Sequence, residues 1–118
     1  YNTSSDYRLK ENEVIITDGI TRLKQLKPYQ FNWKTDSTNT KLDGFFAHEV
    51  SSIVPEAITG TKDGVYDEDD DEANIKKGDP LYQGIDQSKL VPLLTAALQE
   101  AITEIETLKT KVAVLEAA

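Results

Sequence analysis

The chain has 118 residues, 38% hydrophobic and 29% charged, and 21 acidic side chains against 13 basic ones leave it at -8. That composition suits one folded domain with a modest core, and its sign argues against a nucleic-acid partner or an anionic membrane surface, because no basic stripe is present to meet phosphate. With no cysteine and a single histidine, disulfides, thiolate zinc sites and multi-histidine metal centres are excluded within the chain; no metal or cofactor is expected, no apolar run reaches the roughly 18 residues of a membrane span, and no signal peptide is visible.

The first feature in chain order is Ser5-Asp6-Tyr7-Arg8-Leu9-Lys10, after the polar lead Tyr1-Asn2-Thr3-Ser4. A hydroxyl, a carboxylate, a guanidinium and an ammonium packed this closely make either a solvated lead-in or a nucleophile beside its base. As bare letters the string is weak, since all four residue types are common at surfaces. Ser5 and Lys10 are five apart, which puts them on opposite faces of a strand and, at about 500° of helical rotation, well off a shared helix face. Either the chain bends between them or the lysine comes from a neighbouring subunit. Asp6 and Arg8 share one face of an extended segment. Asp6 is expected to orient Lys10 or cap the following turn, and Arg8 to hold a carboxylate.

After the apolar run Val14-Ile15-Ile16, Thr17 or Asp18 caps a helix with Ile20, Leu23 and Leu26 on one side, ended by Pro28. Tyr29, Phe31 and Trp33 alternate with polar residues, the pattern of a strand whose aromatic face belongs to the core. A polar turn over residues 35–40 follows, and Leu42-Asp43-Gly44 punctuates the entry to Phe45-Phe46-Ala47. Ala47, Val50, Ile53 and Val54 fit two helical turns stopped by Pro55. His48, beside Glu49, is expected to be structural. Short strands are expected at residues 57–59 and 65–66, around turns at Gly60 and Asp63-Gly64.

Residues 67–72 are all acidic. They repel one another and read as an exposed loop or arm; an EF-hand is excluded because the central glycine and alternate acids are missing. Strand character returns at residues 81–85. From Ser88 onward there is no glycine, and Pro92 sits where a first helical turn tolerates it. Val91, Leu94, Leu98, Ala101, Ile105, Leu108, Val112 and Leu115 then step by alternating threes and fours, a heptad seam suited to packing against other helices. Leu90, Ala97 and Ile102 widen the stripe, so the first half of this helix is expected to pack on its own domain as well. The spacing alone leaves the number of helices in the bundle open.

Taken together, SDYRLK, residues 20–34 (ITRLKQLKPYQFNWK), Gly44-Phe45-Phe46-Ala47-His48-Glu49-Val50, Val54-Pro55-Glu56 and residues 85–94 (IDQSKLVPLL) resemble the intramolecular chaperone auto-processing domain. That domain closes phage endosialidase tailspikes, tail fibres and neck appendages, and occurs in myelin regulatory factor. The resemblance covers residues 4–112; His48 stands where Gln is expected, and the acidic loop looks like a variable insertion.

The resemblance implies an α+β fold, a small mixed domain with a long helix over residues 86–118 forming a trimeric coiled-coil bundle. It implies that residues 1–4 are the end of an upstream fibre or spike and residues 5–118 the chaperone domain. It implies a homotrimer that helps its upstream partner fold in the host cytoplasm, cuts itself off between Ser4 and Ser5, and is absent from the mature particle. Ser5 is then the nucleophile, Lys10 its base, and Asp6 and Arg8 supporting groups. The chemistry is coherent: a serine hydroxyl needs a base, no His–Asp pair is nearby, and a lysine serves once burial or neighbouring cations have lowered its pKa. The alternative is a non-catalytic trimerisation module with a vestigial motif. A further one is a membrane-tethered transcription-factor segment of the myelin type.

Overall fold

Two prolines frame the core. Pro55 follows helix α2 (Ala47–Ser51) and opens a 3-10 turn, Pro55–Ala57, while Pro92 lies in the first turn of the long helix α3 (Val91–Ala117), where no backbone donor is required of it. Between them Val50, Ile53, Val54 and Ala57 pack against Leu90 and Leu93, with Leu26, Phe45, Ile58 and Ile85 around the edge. The computed structural model describes residues 4–118. Among these, the six clustered residues and Ala97 are the whole buried apolar set, and no polar or charged residue is buried.

Hydrogen bonds at Asp86 bring the two halves of this core together. The Asp86 N–H donates to the Ala57 carbonyl at 2.8 Å, and the Asp86 carboxylate accepts from the Ser88 N–H at 3.1 Å and the Ser88 hydroxyl at 2.6 Å. Those bonds start the 3-10 turn Gln87–Leu90 that feeds α3. They also hold the Asp86 carboxyl below its ordinary value, the Ser88 hydroxyl being the main cause.

Two small antiparallel pairs flank the helices. Strand β1 (Tyr29–Phe31) pairs with β2 (Leu42–Gly44), Tyr29 facing Gly44 and Phe31 facing Leu42. In the loop between them Asp36 accepts from the Thr38 hydroxyl and from the N–H groups of Thr38 and Thr40, which lowers its carboxyl to about 2. Strand β3 (Ile58–Thr59) pairs with β4 (Gly84–Ile85), Ile58 facing Ile85. Between β3 and β4 the chain makes a long excursion, turned at Gly60 with φ +79° and clipped by isolated bridges Val65–Pro80 and Asp70–Ile75.

The fold is thus a small mixture of helices and strands with one long helix. The sequence pattern misplaces several details. Trp33 is 61% exposed rather than part of a core face, because β1 stops at Phe31 and the ring stacks edge-on against Phe31 at 5.1 Å outside the sheet. The segment Leu42-Asp43-Gly44 is a strand, not punctuation, since it supplies the partner for β1. Val65-Tyr66 forms only an isolated bridge, and strand character near residue 81 shrinks to Gly84–Ile85. The acidic run is exposed, as its charge demands, yet ordered: Asp69 accepts from the Lys77 N–H at 2.8 Å and Lys76 pairs with Asp71 at 3.3 Å.

The long helix packs on its own body through Leu90 and Ala97, as expected, and also through Leu93, but not through Ile102. Leu90, Leu93 and Ala97 are buried, whereas Ile102 is exposed. The seam residues Val91, Leu94, Leu98, Ile105, Leu108, Val112 and Leu115 are exposed in the single chain, and Ala101 is half-buried. Truncation should separate the two faces. Leu93→Ala is expected to destabilise the single-chain fold by about 2–5 kcal/mol, the range for a buried leucine, and Leu98→Ala by less than about 0.5 kcal/mol. Urea unfolding at concentrations where the chain is monomeric measures both.

Candidate functional site

The segment from Ser4 to Thr17 leaves the body as an arm. Every side chain in it is exposed except the half-buried Ile16, and the hydrogen bonds among the described residues that shape Ser5 to Lys10 stay within the segment. Tyr7, Leu9, Val14 and Ile15 are each at least 74% exposed.

Within the arm, Asp6, Tyr7, Arg8 and Leu9 build a single 3-10 turn. Asp6 is its N-cap, accepting from the Arg8 N–H at 2.9 Å, and the turn spans Tyr7–Leu9. The Arg8 guanidinium then closes on the same carboxylate with two bonds of 2.9 Å, a fork that fits the two oxygens. The backbone bonds Leu9 N–H to Asp6 carbonyl and Lys10 N–H to Tyr7 carbonyl complete the turn, after which Lys10 is extended. The result is that the Lys10 ammonium donates to the Ser5 hydroxyl oxygen at 2.5 Å.

This answers the spacing problem posed by the sequence. The chain bends, so Ser5 and Lys10 meet within one chain, although neither a strand nor a helix would join them. Asp6 caps the turn rather than orienting Lys10 directly, and Arg8 does hold a carboxylate, that of Asp6. An open groove lined by His48, Thr61, Lys62 and Tyr82 includes no residue of the arm.

The arm meets the body at helix α1 (Gly19–Leu23), and here sequence reasoning missed a residue. Asp18 occupies the N-cap position but makes no side-chain cap bond; its carboxylate instead pairs with Arg22 at 3.1 Å. The cap comes from α3. The Glu100 carboxylate accepts from the Gly19 N–H at 2.8 Å and from the Ile20 N–H at 3.2 Å. Gly19 permits the approach: a Cβ there would stand 2.5 Å from a Glu100 oxygen and 2.6 Å from the Ala97 backbone nitrogen. No local pattern signals a cap supplied from 81 residues away. The one clue was the spacing of Glu100 from Ala97 and Leu93 on α3.

The family model for Peptidase_S74, chaperone of endosialidase, matches residues 5–59. Over that stretch, a little under half of the chain, it is similar to the endosialidase-chaperone family, whose name pairs a chaperone with a peptidase. The match begins at Ser5 and takes in the arm, α1, the β1–β2 hairpin, α2 and β3. No curated protein matches the chain. Of the upstream segment expected at residues 1–4, all but Ser4 lies outside the described residues.

The arm's turn has an electrostatic signature. The Arg8 side chain, and then its N–H, hold the Asp6 carboxyl below its ordinary 3.8, and Asp6 raises Arg8 in return. A carboxyl lowered by folding contributes to the turn above its unfolded value and loses that contribution as pH falls through the folded one. Residue-resolved NMR titration should therefore find Asp6 titrating below 3.8 in the intact chain. In Arg8→Ala the midpoint should move back toward that value as the turn loosens.

Proposed function

We propose that this domain assembles as a homotrimer through α3, assists folding of a phage fibre or spike carried upstream in the same chain, and then releases itself by cutting the Ser4–Ser5 bond. The observation that carries this reading is the Ser5–Lys10 pair at 2.5 Å, at the first residue of the family match.

The bond changes follow from that geometry. Neutral Lys10 takes the proton of the Ser5 hydroxyl as Oγ attacks the Ser4 carbonyl carbon. The Ser4–Ser5 C–N bond breaks, an ester to Ser5 Oγ forms, and the proton passes to the departing Ser5 nitrogen. Water then hydrolyses the ester, leaving a Ser4 carboxylate and a free Ser5 amine. A lysine acts as base only without its proton, and burial is a principal means of removing it. Lys10 is exposed in the single chain. The pair is therefore aligned but not desolvated, which supports a site that becomes competent when neighbouring copies cover the arm.

Two measures of size support assembly. The Cα radius of gyration is 20.8 Å, against about 13.5 Å for a compact domain of this length. The exposed surface is 10042 Å², against roughly 6,400 Å² for a monomer of this mass. The excess matches a chain that leaves its seam and arm for other copies to cover. In this proposal the work is done in the host cytoplasm during particle assembly, and the released domain is not retained. The exposure of the pair also suits a rival reading, a non-catalytic trimerisation module with a vestigial motif.

Intact-mass measurement separates the two. Wild type is expected to lose Tyr1–Ser4, whereas Ser5→Ala and Lys10→Ala remain whole while sedimenting as the same trimer. A wild-type trimer that stays uncut indefinitely favours the non-catalytic module. Leu98→Asp with Ile105→Asp should disrupt the seam and slow cutting by at least about tenfold, since alignment and desolvation both depend on it.

A further inference from the structure

We infer that Glu100 is a positioning residue for self-cleavage, a clasp through which the long helix sets where the arm carries Ser5 and Lys10. This rests on self-cleavage at Ser5 being the activity of the chain.

Among the described residues, the contacts that tie the base of the arm to the long helix lie at the start of α1. From Ser5 to Ile15 its side chains are exposed, and the first buried residue after it is Gly19. At Gly19 the backbone of α1 lies against α3 at Ala96 and Ala97, so closely that no side chain fits between them. One turn further along α3, both oxygens of Glu100 reach the first N–H groups of α1. These donors would otherwise go unsatisfied at the helix start, and a carboxylate is the best acceptor for them. Arg22 adds a second tie, from its guanidinium to the Ile53 carbonyl at 3.5 Å. That bond fixes α1 to the core but reaches neither its first turn nor the seam.

Glu100 stands beside the seam. It is the residue before Ala101, as Ala97 is the residue before Leu98. A helix that packs its seam against neighbours therefore fixes, through the adjacent stripe, the direction in which α1 and the arm depart. Without the clasp, α1 keeps its apolar contacts while its first turn frays, and the arm swings on an unanchored joint. The Ser5–Lys10 turn, being local, survives that change. What is lost is its placement against the surface that would desolvate it.

The test uses the full chain, with three substitutions and three readouts. Glu100→Ala removes both acceptors. Glu100→Asp keeps the charge but shortens the reach by one methylene. Glu100→Gln keeps the length and one acceptor oxygen. Cutting is followed by intact mass, assembly by sedimentation, and the clasp by hydrogen exchange at the Gly19 and Ile20 amides. We expect those two amides to lose protection in Glu100→Ala and cutting to slow by about tenfold or more, the scale of a misplaced reacting group, with the assembly unchanged. Glu100→Gln should recover much of the rate and Glu100→Asp little, an order set by reach rather than charge. Should Glu100→Ala fail to assemble, the Gln and Asp chains carry the comparison, and equal rates in the two would overturn the clasp. Wild-type cutting speed in Glu100→Ala, with the two amides unprotected, would also overturn it. A wild type that never cuts overturns self-cleavage itself and the positioning role with it, and is told apart from the other failures because no substitution is needed to see it.

Discussion

One helix carries two stripes a single residue out of step, and the rest of the molecule is arranged around that offset. Leu90, Leu93, Ala97 and Glu100 face the chain's own body, and Val91, Leu94, Leu98 and Ala101 form the seam beside them. A one-residue step is about 100° around a helix, wide enough that neither stripe intrudes on the other. The same turns can thus hold the domain together and present an apolar edge. Beyond Glu100 the inner stripe turns polar at Glu104, Thr107 and Lys111, and every residue of the helix after Ala101 is exposed. With so small a buried set on the inner side, the fold of one copy and any association through the seam would draw on the same element. Folding and association would then be coupled, because whatever covers the seam also stabilises the helix on which the core is built.

The chemistry is divided in a parallel way. Geometry is local: one capped turn, tightened by a two-pronged Arg8–Asp6 contact, is enough to bring Lys10 to Ser5. Dielectric environment is not local, and the arm supplies none of its own. If Ser5 and Lys10 act as proposed, their alignment alone contributes little while both remain exposed to water. Such a division suits a group that must stay idle during synthesis and act later, since it makes the missing ingredient a surface rather than a rearranged bond.

The legibility of these features in the sequence follows the range of the forces that make them. The long C-terminal helix, the prolines that bracket α2 and α3, and the exposure of the acidic run depend on neighbours a few residues away, and each was readable. The Asp6 cap and the Arg8–carboxylate contact were among the stated options for the same reason. Trp33 misled because alternation predicts which side of a strand a residue occupies, not whether another layer lies behind it; here the strand ends at Phe31. Ile102 misled because stripe width on a helical wheel does not say which edge meets the body, and Leu93 took that place. Glu100 left only its spacing from Leu93 and Ala97 as a clue, since Asp18 offered a plausible local cap and spent its carboxylate on Arg22 instead. The bend between Ser5 and Lys10 sat between these extremes. Spacing excluded regular structure and left a turn as one of two answers.

The proposed order of events follows from the same separation of ranges. A helical seam is rich in local contacts and forms early, whereas a long β-structured fibre needs slow, non-local pairings and exposes edges that can mispair. Joining copies through α3 raises the effective concentration of whatever precedes the domain and fixes its register. If the arm becomes competent only when that assembly covers it, cutting reports that the copies are in place. Once the Ser4–Ser5 bond is gone, the clamp no longer shares a chain with its client. In the proposed reading the client would then retain its structure through the height of its unfolding barrier rather than through a template it could return to. On this account the exposed, idle pair in the single chain is the feature that gives the sequence of steps its direction.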